Sequence, residues 1–153
     1  MNTSAELESL RRRICRLEES ELARNLLHRY AEVLDNPTPD AVSALFTPDG
    51  VLSVPSGNYY GREAIADFYR TRIDSDAGEK RHFIMNLRSH PLKPGTVEIA
   101  SYFIFIGRDP TASALGWGTY HDTIVLDGNV AFFQRKEIVP HVATNLQNGW
   151  AIS

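Results

Sequence analysis

The sequence predicts an α+β fold in which helices precede a strongly curved antiparallel sheet. Three observations support this prediction. Apolar residues recur at helical spacing through the N-terminal part of the 153-residue chain. From Arg81 onward the chain consists of strand-like runs rich in aromatic and β-branched residues. Short turns separate pairs of these runs, which is typical of strands that pair as antiparallel neighbours.

The helical part begins with a narrow apolar stripe. Thr3 and Glu6 fit a capping box. The stripe that follows has 3-4-3 spacing and consists of Leu7, Leu10, Ile14 and Leu17. We interpret residues 1–19 as a helical arm that packs on a neighbour, because so short a stripe does not make an independent coiled coil.

Further helices follow the arm. Ser20 can start a second helix, whose apolar face includes Tyr30 and which Pro37 stops. Thr38 as cap and Pro39 at the first turn predict a short helix over residues 40–46. The segment GREAIADFYRTRI, residues 61–73, predicts another helix. Its inward face consists of Ile65, Phe68, Tyr69 and Ile73.

A short strand, VLSV, and four long strand-like runs make up the predicted sheet. The long runs are RHFIMNLRSH, TVEIASYFIFIG, ALGWGTYHDTIVL and VAFFQRKEIV. They are separated by residues 93–95, by a loop over 108–113, and by residues 127–129. Glycines at 107, 116 and 118 suit bulges and sharp bends. The segment after Pro140 shows no clear pattern.

The histidine that opens the first long run has two interpretations. In alternating register, His82, Ile84 and Asn86 share one face of the strand. His82 is therefore either a hydrogen-bonded core residue or a titratable group that faces a cavity. The third long run carries a second polar pair, because Tyr120 and Asp122 share a strand face.

Composition limits the kinds of protein that this chain can be. The length favours one domain, and a net charge of −3 with scattered Lys and Arg makes nucleic acid an unexpected partner. The single cysteine, Cys15, excludes an internal disulfide and cysteine-based metal clusters. No apolar stretch approaches 18 residues, and the N-terminus lacks a signal-peptide core, so we expect no membrane partner and a cytoplasmic location.

Cofactor motifs are missing from the sequence. The five histidines show no His-x-His or HExxH spacing, so we expect no metal. No GxGxxG or P-loop pattern is present, so we expect no nucleotide cofactor.

Five stretches carry a resemblance to a known family: LLHRYAEVLDNPTPDAVSALFTPDGVLSV, GREAIADFYRTR, KRHFIMNLRSH, EIASYFIFI and GTYHDTIV. Their order and spacing resemble the SnoaL-like domain of the nuclear transport factor 2-like superfamily. The pattern is most similar to enzymes of the bile acid 7α-dehydratase and scytalone dehydratase types. The resemblance implies a cystatin-like cone, a curved antiparallel sheet whose pocket is closed by the N-terminal helices. We therefore expect one SnoaL-like domain over residues 1–153, with an arm at 1–19, the cone at 20–139 and a tail at 140–153.

The resemblance also implies a site. In the dehydratases an Asp at the end of the long helix orients a His on a later strand, which carries over to Asp35 and His82. A helix tyrosine carries over to Tyr30, which can donate its hydroxyl to a developing oxyanion. The strand tyrosine of the bile acid enzyme falls near Val54 here, and its C-terminal arginine falls around residues 140–141. We expect substrate contacts from Tyr59, Tyr60, Asn86, Tyr120 and Asp122.

These residues predict a cofactor-independent lyase of the dehydratase type that acts on a hydrophobic small molecule in an apolar pocket. A polyketide-type aldol cyclase or an isomerase is an alternative, because the same base begins those reactions. An alternative of another class is a non-catalytic small-molecule-binding protein or accessory subunit. The β-strands carry more aromatic area than one core needs, so we also expect a homodimer or homotrimer.

Overall fold

The computed structural model describes residues 3–73, 78–108 and 113–146, apart from the side chain of Ile73. Its elements are α1 (Thr3–Asp35), α2 (Pro39–Ser43), β1 (Phe46–Val54), β2 (Gly57–Tyr60), α3 (Gly61–Ile73), β3 (Glu79–Lys93), β4 (Thr96–Arg108), β5 (Ser113–Asp127) and β6 (Val130–Leu146). The predicted α+β class is confirmed. The predicted loop over 108–113 lies mostly outside the described residues.

The strands form one sheet in the order β2-β1-β6-β5-β4-β3. The three pairs among the long strands β3 to β6 are antiparallel, as predicted. β1 pairs antiparallel with β2, a strand that was not predicted, and parallel with β6. The parallel pair joins segments about 85 residues apart, and a local sequence pattern carries no signal for such a distant pairing. The sheet therefore mixes both strand orientations.

The helices differ from the prediction at two points. The short helix predicted over residues 40–46 covers Pro39–Ser43, and Phe46 already belongs to β1. Residues 3–35 form one continuous helix, so Ser20 lies inside α1 rather than at the start of a second helix. No proline or glycine interrupts this segment, and a single serine costs a helix too little to end it. Thr38 caps α2 as predicted, its Oγ1 accepting the Ala41 N–H at 3.2 Å. The predicted bounds of α3 are confirmed.

The core lies between the concave face of the sheet and the C-terminal half of α1, with α3 beside it. Tyr30 is fully buried and meets the ring of Phe133 edge-on, at 5.6 Å between centroids. Gly116 and Gly118, where bends were predicted, leave room for core rings, because side chains at these positions would collide with the rings of Phe105 and Phe103. The register of β5 on β6 shifts between Trp117 and Gly118, as a bulge requires.

The C-terminal strand is longer than predicted. β6 continues through Pro140 to Leu146, so the first part of the predicted tail is strand. Residues 147–153 lie outside the described part of the chain. No helix within the described residues is long and apolar enough to span a membrane.

Candidate active site

A cavity of about 450 Å³ opens between the concave sheet and the helices. Its wall is mostly apolar and includes the rings of Phe103 and Phe105 from β4. Polar groups in the wall include Tyr30 and Asp35 of α1, Tyr69 of α3, His82 of β3 and Tyr120 of β5. A few polar groups that converge in an apolar cavity are typical of a small-molecule site.

Asp35 and His82 are in direct contact. Asp35 is the last residue of α1, and its Oδ1 accepts both the backbone N–H of His82 at 2.8 Å and the ring Nδ1–H at 3.0 Å. The backbone bond fixes where the strand passes the helix end, and the ring bond selects the tautomer. With the proton on Nδ1, the lone pair of His82 is on Nε2.

The surroundings of His82 keep it neutral. Burial lowers the pKa of the ring below its usual value, and the charge of Lys80 lowers it further. The hydrogen bond and the negative charge of Asp35 oppose this lowering. At neutral pH the ring is therefore an unprotonated base that Asp35 stabilises once it accepts a proton.

Three tyrosines surround the inner part of the cavity. The hydroxyls of Tyr30 and Tyr69 are 2.6 Å apart and share a hydrogen bond. Tyr120 lies edge-on to Tyr30 and stacks on Phe103, with centroids 4.3 Å apart. Burial is the main cause that raises the pKa of all three phenols. Each phenol therefore stays protonated and can act as a hydrogen-bond donor.

A buried ion pair lies behind the tyrosines. The ammonium of Lys136 donates to both carboxylate oxygens of Asp122 at 3.1 Å, and both side chains are fully buried. The Nζ of Lys136 also lies 3.7 Å from the ring centroid of Tyr120 and 4.3 Å from that of Tyr30. Burial raises the pKa of Asp122 to about 6, against the opposing charge of Lys136. Burial likewise lowers the pKa of Lys136.

Of the predicted site residues, the structure brings Tyr30, Asp35, His82 and Tyr120 together around one cavity. The prediction that Asn86 shares the face of His82 is wrong. Asn86 is exposed with φ of 56°, and the register of β3 on β4 shifts between Met85 and Arg88. This bulge reverses the alternation, so that Leu87 and not Asn86 is partly buried.

Three of the other four predicted substrate contacts also differ from expectation. Tyr60 is 67% exposed, and Tyr59 packs on Phe68 with centroids 4.7 Å apart. Neither is among the described residues that line the cavity. Asp122 is on the predicted face, but its carboxylate is bound by Lys136 behind the cavity wall. Asp122 is therefore not among the described residues that line the cavity.

Two residues of the site were missed as functional candidates. Tyr69 was expected only to pack inward, and helical spacing gives no sign that its hydroxyl meets that of Tyr30. Lys136 had no signal in the local sequence, because VAFFQRKEIV is typical of an ordinary partly exposed strand. Its partnership follows from the register of β5 on β6, where Asp122 lies directly opposite Lys136. Among the described residues, no three His, Cys, Asp or Glu side chains are grouped to hold a metal ion.

Comparison with known protein families assigns the chain to one of them. The model of the SnoaL-like domain matches residues 16–150, which is most of the chain. The chain belongs to the SnoaL-like domain family. This confirms the family predicted from the sequence stretches and places the protein in the nuclear transport factor 2-like superfamily. No curated protein matches the sequence of this SnoaL-like domain.

Solved structures share the fold at low sequence identity. A candidate scytalone dehydratase from Novosphingobium aromaticivorans is 22% identical, with a TM-score of 0.77 over 87% of this chain and 91% of its own. The hexachlorocyclohexane dehydrochlorinase LinA-type3 from Novosphingobium barchaimii is 17% identical, with a TM-score of 0.78 over 92% and 98%. A protein of unknown function with a cystatin-like fold from Nostoc punctiforme is 20% identical, with a TM-score of 0.65 over 78% and 88%. These likenesses confirm the predicted cystatin-like fold.

Proposed function

We propose that this SnoaL-like domain is a cofactor-independent lyase of the dehydratase type. The observation that carries the proposal is the contact of Asp35 Oδ1 with Nδ1 of His82 in the wall of a mostly apolar cavity. A neutral imidazole oriented by a carboxylate is suited to remove a proton next to a carbonyl group. Two proteins of the same fold carry the names of eliminating enzymes, a dehydratase and a dehydrochlorinase.

In the proposed reaction, Nε2 of His82 takes a proton from the carbon next to the substrate carbonyl. The electron pair of that C–H bond moves onto the carbonyl oxygen, where the hydroxyl of Tyr30 stabilises the oxyanion as a hydrogen-bond donor. The enolate then re-forms the carbonyl and expels a β-hydroxyl group, which takes the proton from the imidazolium and leaves as water. Asp35 stabilises the imidazolium between the two steps.

The first step can be tested without knowledge of the natural substrate. In D₂O, the α-hydrogens of hydrophobic cyclic ketones exchange for deuterium. Proton NMR detects this exchange, which reports on proton removal alone. We expect wild-type protein to accelerate this exchange with at least one ketone of a size that fits about 450 Å³. If no ketone or β-hydroxyketone reacts while ligands still bind, the binding-protein alternative replaces the lyase. A cyclised product of unchanged mass would indicate an isomerase.

We further propose that the convex face of the sheet mediates a homodimer or homotrimer. One row of paired residues crosses four strands and consists of Phe83, Ile104, Trp117 and Val142. Phe83 and Trp117 remain 47% and 45% exposed. Large contiguous apolar surface of this kind is typical of an interface.

Replacement of Trp117 by Glu is expected to dissociate the oligomer and so lower its measured mass. The reason is that a charge at the centre of an apolar interface would lose its hydration. Light scattering coupled to size exclusion gives the mass directly. Val130→Glu is the matched control, since Val130 is similarly exposed but is the first residue of β6, away from the row. A wild-type protein that is monomeric at micromolar concentration would refute this interface.

A further inference from the structure

The N-terminal arm of α1 turns its apolar stripe away from its own domain. Leu7, Leu10, Ile14 and Leu17 are between 48% and 70% exposed. The arm is attached by its polar side, where Glu19 Oε1 accepts the backbone N–H of Gly95 at 2.9 Å. A cleft separates the same side of the helix from the β3–β4 turn, and Glu8, Arg11 and Cys15 are among the helix residues that line it. At 100° per residue, the stripe is centred about 150° from this attached side.

We propose that the arm pairs in parallel with the arm of a second copy of this chain. The stripe occupies two heptads, with Leu7 and Ile14 at the a positions and Leu10 and Leu17 at the d positions. Ile14, the β-branched residue at the second a position, together with Leu10 and Leu17 at d, favours two strands. Two heptads suffice because the arm continues a helix whose C-terminal half is buried in the domain, so folding already provides the helix nucleus.

The charges beside the stripe select the parallel orientation. In a parallel pair, the g position of one helix faces the e position five residues later in the other. Glu6 would then face Arg11 of the second copy, and Arg13 would face Glu18. Each of these contacts joins opposite charges. Antiparallel pairing that keeps the same apolar layers would place Arg11 against Arg11 and Arg13 against Arg13.

These charged side chains form no ion pairs with other residues in the described part of the chain. All four, Glu6, Arg11, Arg13 and Glu18, are exposed. The arm carries four arginines and four glutamates: Arg11, Arg12, Arg13, Arg16, Glu6, Glu8, Glu18 and Glu19. This balance gives no net attraction to an anionic lipid surface, which favours a second copy over a membrane as the occupant.

Disulfide cross-linking of the full chain tests the proposal. In a Cys15→Ser background, Leu17→Cys places identical residues opposite each other in a parallel pair, and mild oxidation is expected to give a covalent dimer. Antiparallel pairing would separate the two introduced thiols by about 15 Å along the helix axis, too far for a disulfide. Ser9→Cys in the same background is the control, because position 9 lies outside the apolar stripe.

Charge reversal in the Cys15→Ser/Leu17→Cys background tests whether the partner of the arm is the arm of a second copy. Arg13→Glu alone and Glu18→Arg alone each turn two attractive contacts into repulsive ones, and we expect about tenfold weaker association. A mixture of the two variants is expected to cross-link as the heterodimer. Arg12→Glu, which reverses a charge away from the stripe, should leave cross-linking unchanged. Absence of the disulfide-linked dimer, equal cross-linking of all variants, or sedimentation of the wild-type chain with phosphatidylglycerol vesicles would overturn the proposal.

Discussion

Replacement of Lys136 by Met is expected to lower the free energy of unfolding by about 3–5 kcal/mol. The substitution keeps the length of the side chain but leaves the carboxylate of Asp122 fully buried without its two hydrogen bonds. Urea denaturation at a fixed protein concentration measures the loss. Lys93→Met is the matched control, because Lys93 is exposed and its substitution should change stability by less than about 0.5 kcal/mol.

Two further results would identify the buried charge as the cause. Asp122→Leu together with Lys136→Met should recover most of the lost stability, since an apolar pair replaces the ion pair. The loss in Lys136→Met should also grow with pH. Burial already raises the pKa of Asp122 to about 6 in the wild type, and removal of the Lys136 charge and hydrogen bonds raises it further in the variant. The folded variant therefore holds the proton more tightly than the folded wild type and loses stability relative to it as pH rises above about 6. A loss equal to that of Lys93→Met at every pH would contradict this account.

His82→Ala is expected to reduce catalysed α-hydrogen exchange by about 10²–10⁴-fold, the usual contribution of a general base. The fold should persist, because His82 lines the cavity and removal of its ring only enlarges a space that is already open. The measurement is the deuterium exchange rate of the ketone that wild-type protein processes fastest. His90→Ala is the control, since His90 is exposed on the same strand.

The same variant, His82→Ala, distinguishes a lyase from a non-catalytic binding protein. A lyase loses exchange in His82→Ala but keeps its affinity for an unreactive ketone analogue. A binding protein shows no exchange in the wild type and little change in affinity. Exchange by His82→Ala at the wild-type rate would contradict the assignment of the base.

Sequence reasoning predicted the helices-then-sheet order and the Asp35–His82 contact, for different reasons. Helical spacing and strand alternation are local signals, so α3 and the long strands follow from neighbouring residues. The contact of Asp35 with His82 joins residues 47 positions apart and came from the resemblance to a known family.

The errors have physical causes in individual residues. Asn86 adopts a positive φ in a bulge, and one such residue reverses the inward and outward positions after it. Asp122 was placed on the correct face, but its partner Lys136 is set by the register of two strands, which alternation alone does not determine. The parallel contact of β1 with β6 is likewise a long-range choice.

The central claim is that Asp35 and His82 form a coupled base, and an NMR titration of the His82 ring tests it most directly. In wild-type protein the pKa of His82 should lie below its usual 6.5, because burial outweighs the attraction of Asp35. In Asp35→Asn the pKa should fall further, because the hydrogen bond and the negative charge that stabilise the imidazolium are lost. Identical titration curves in both proteins would contradict the dyad and remove the main support for a lyase.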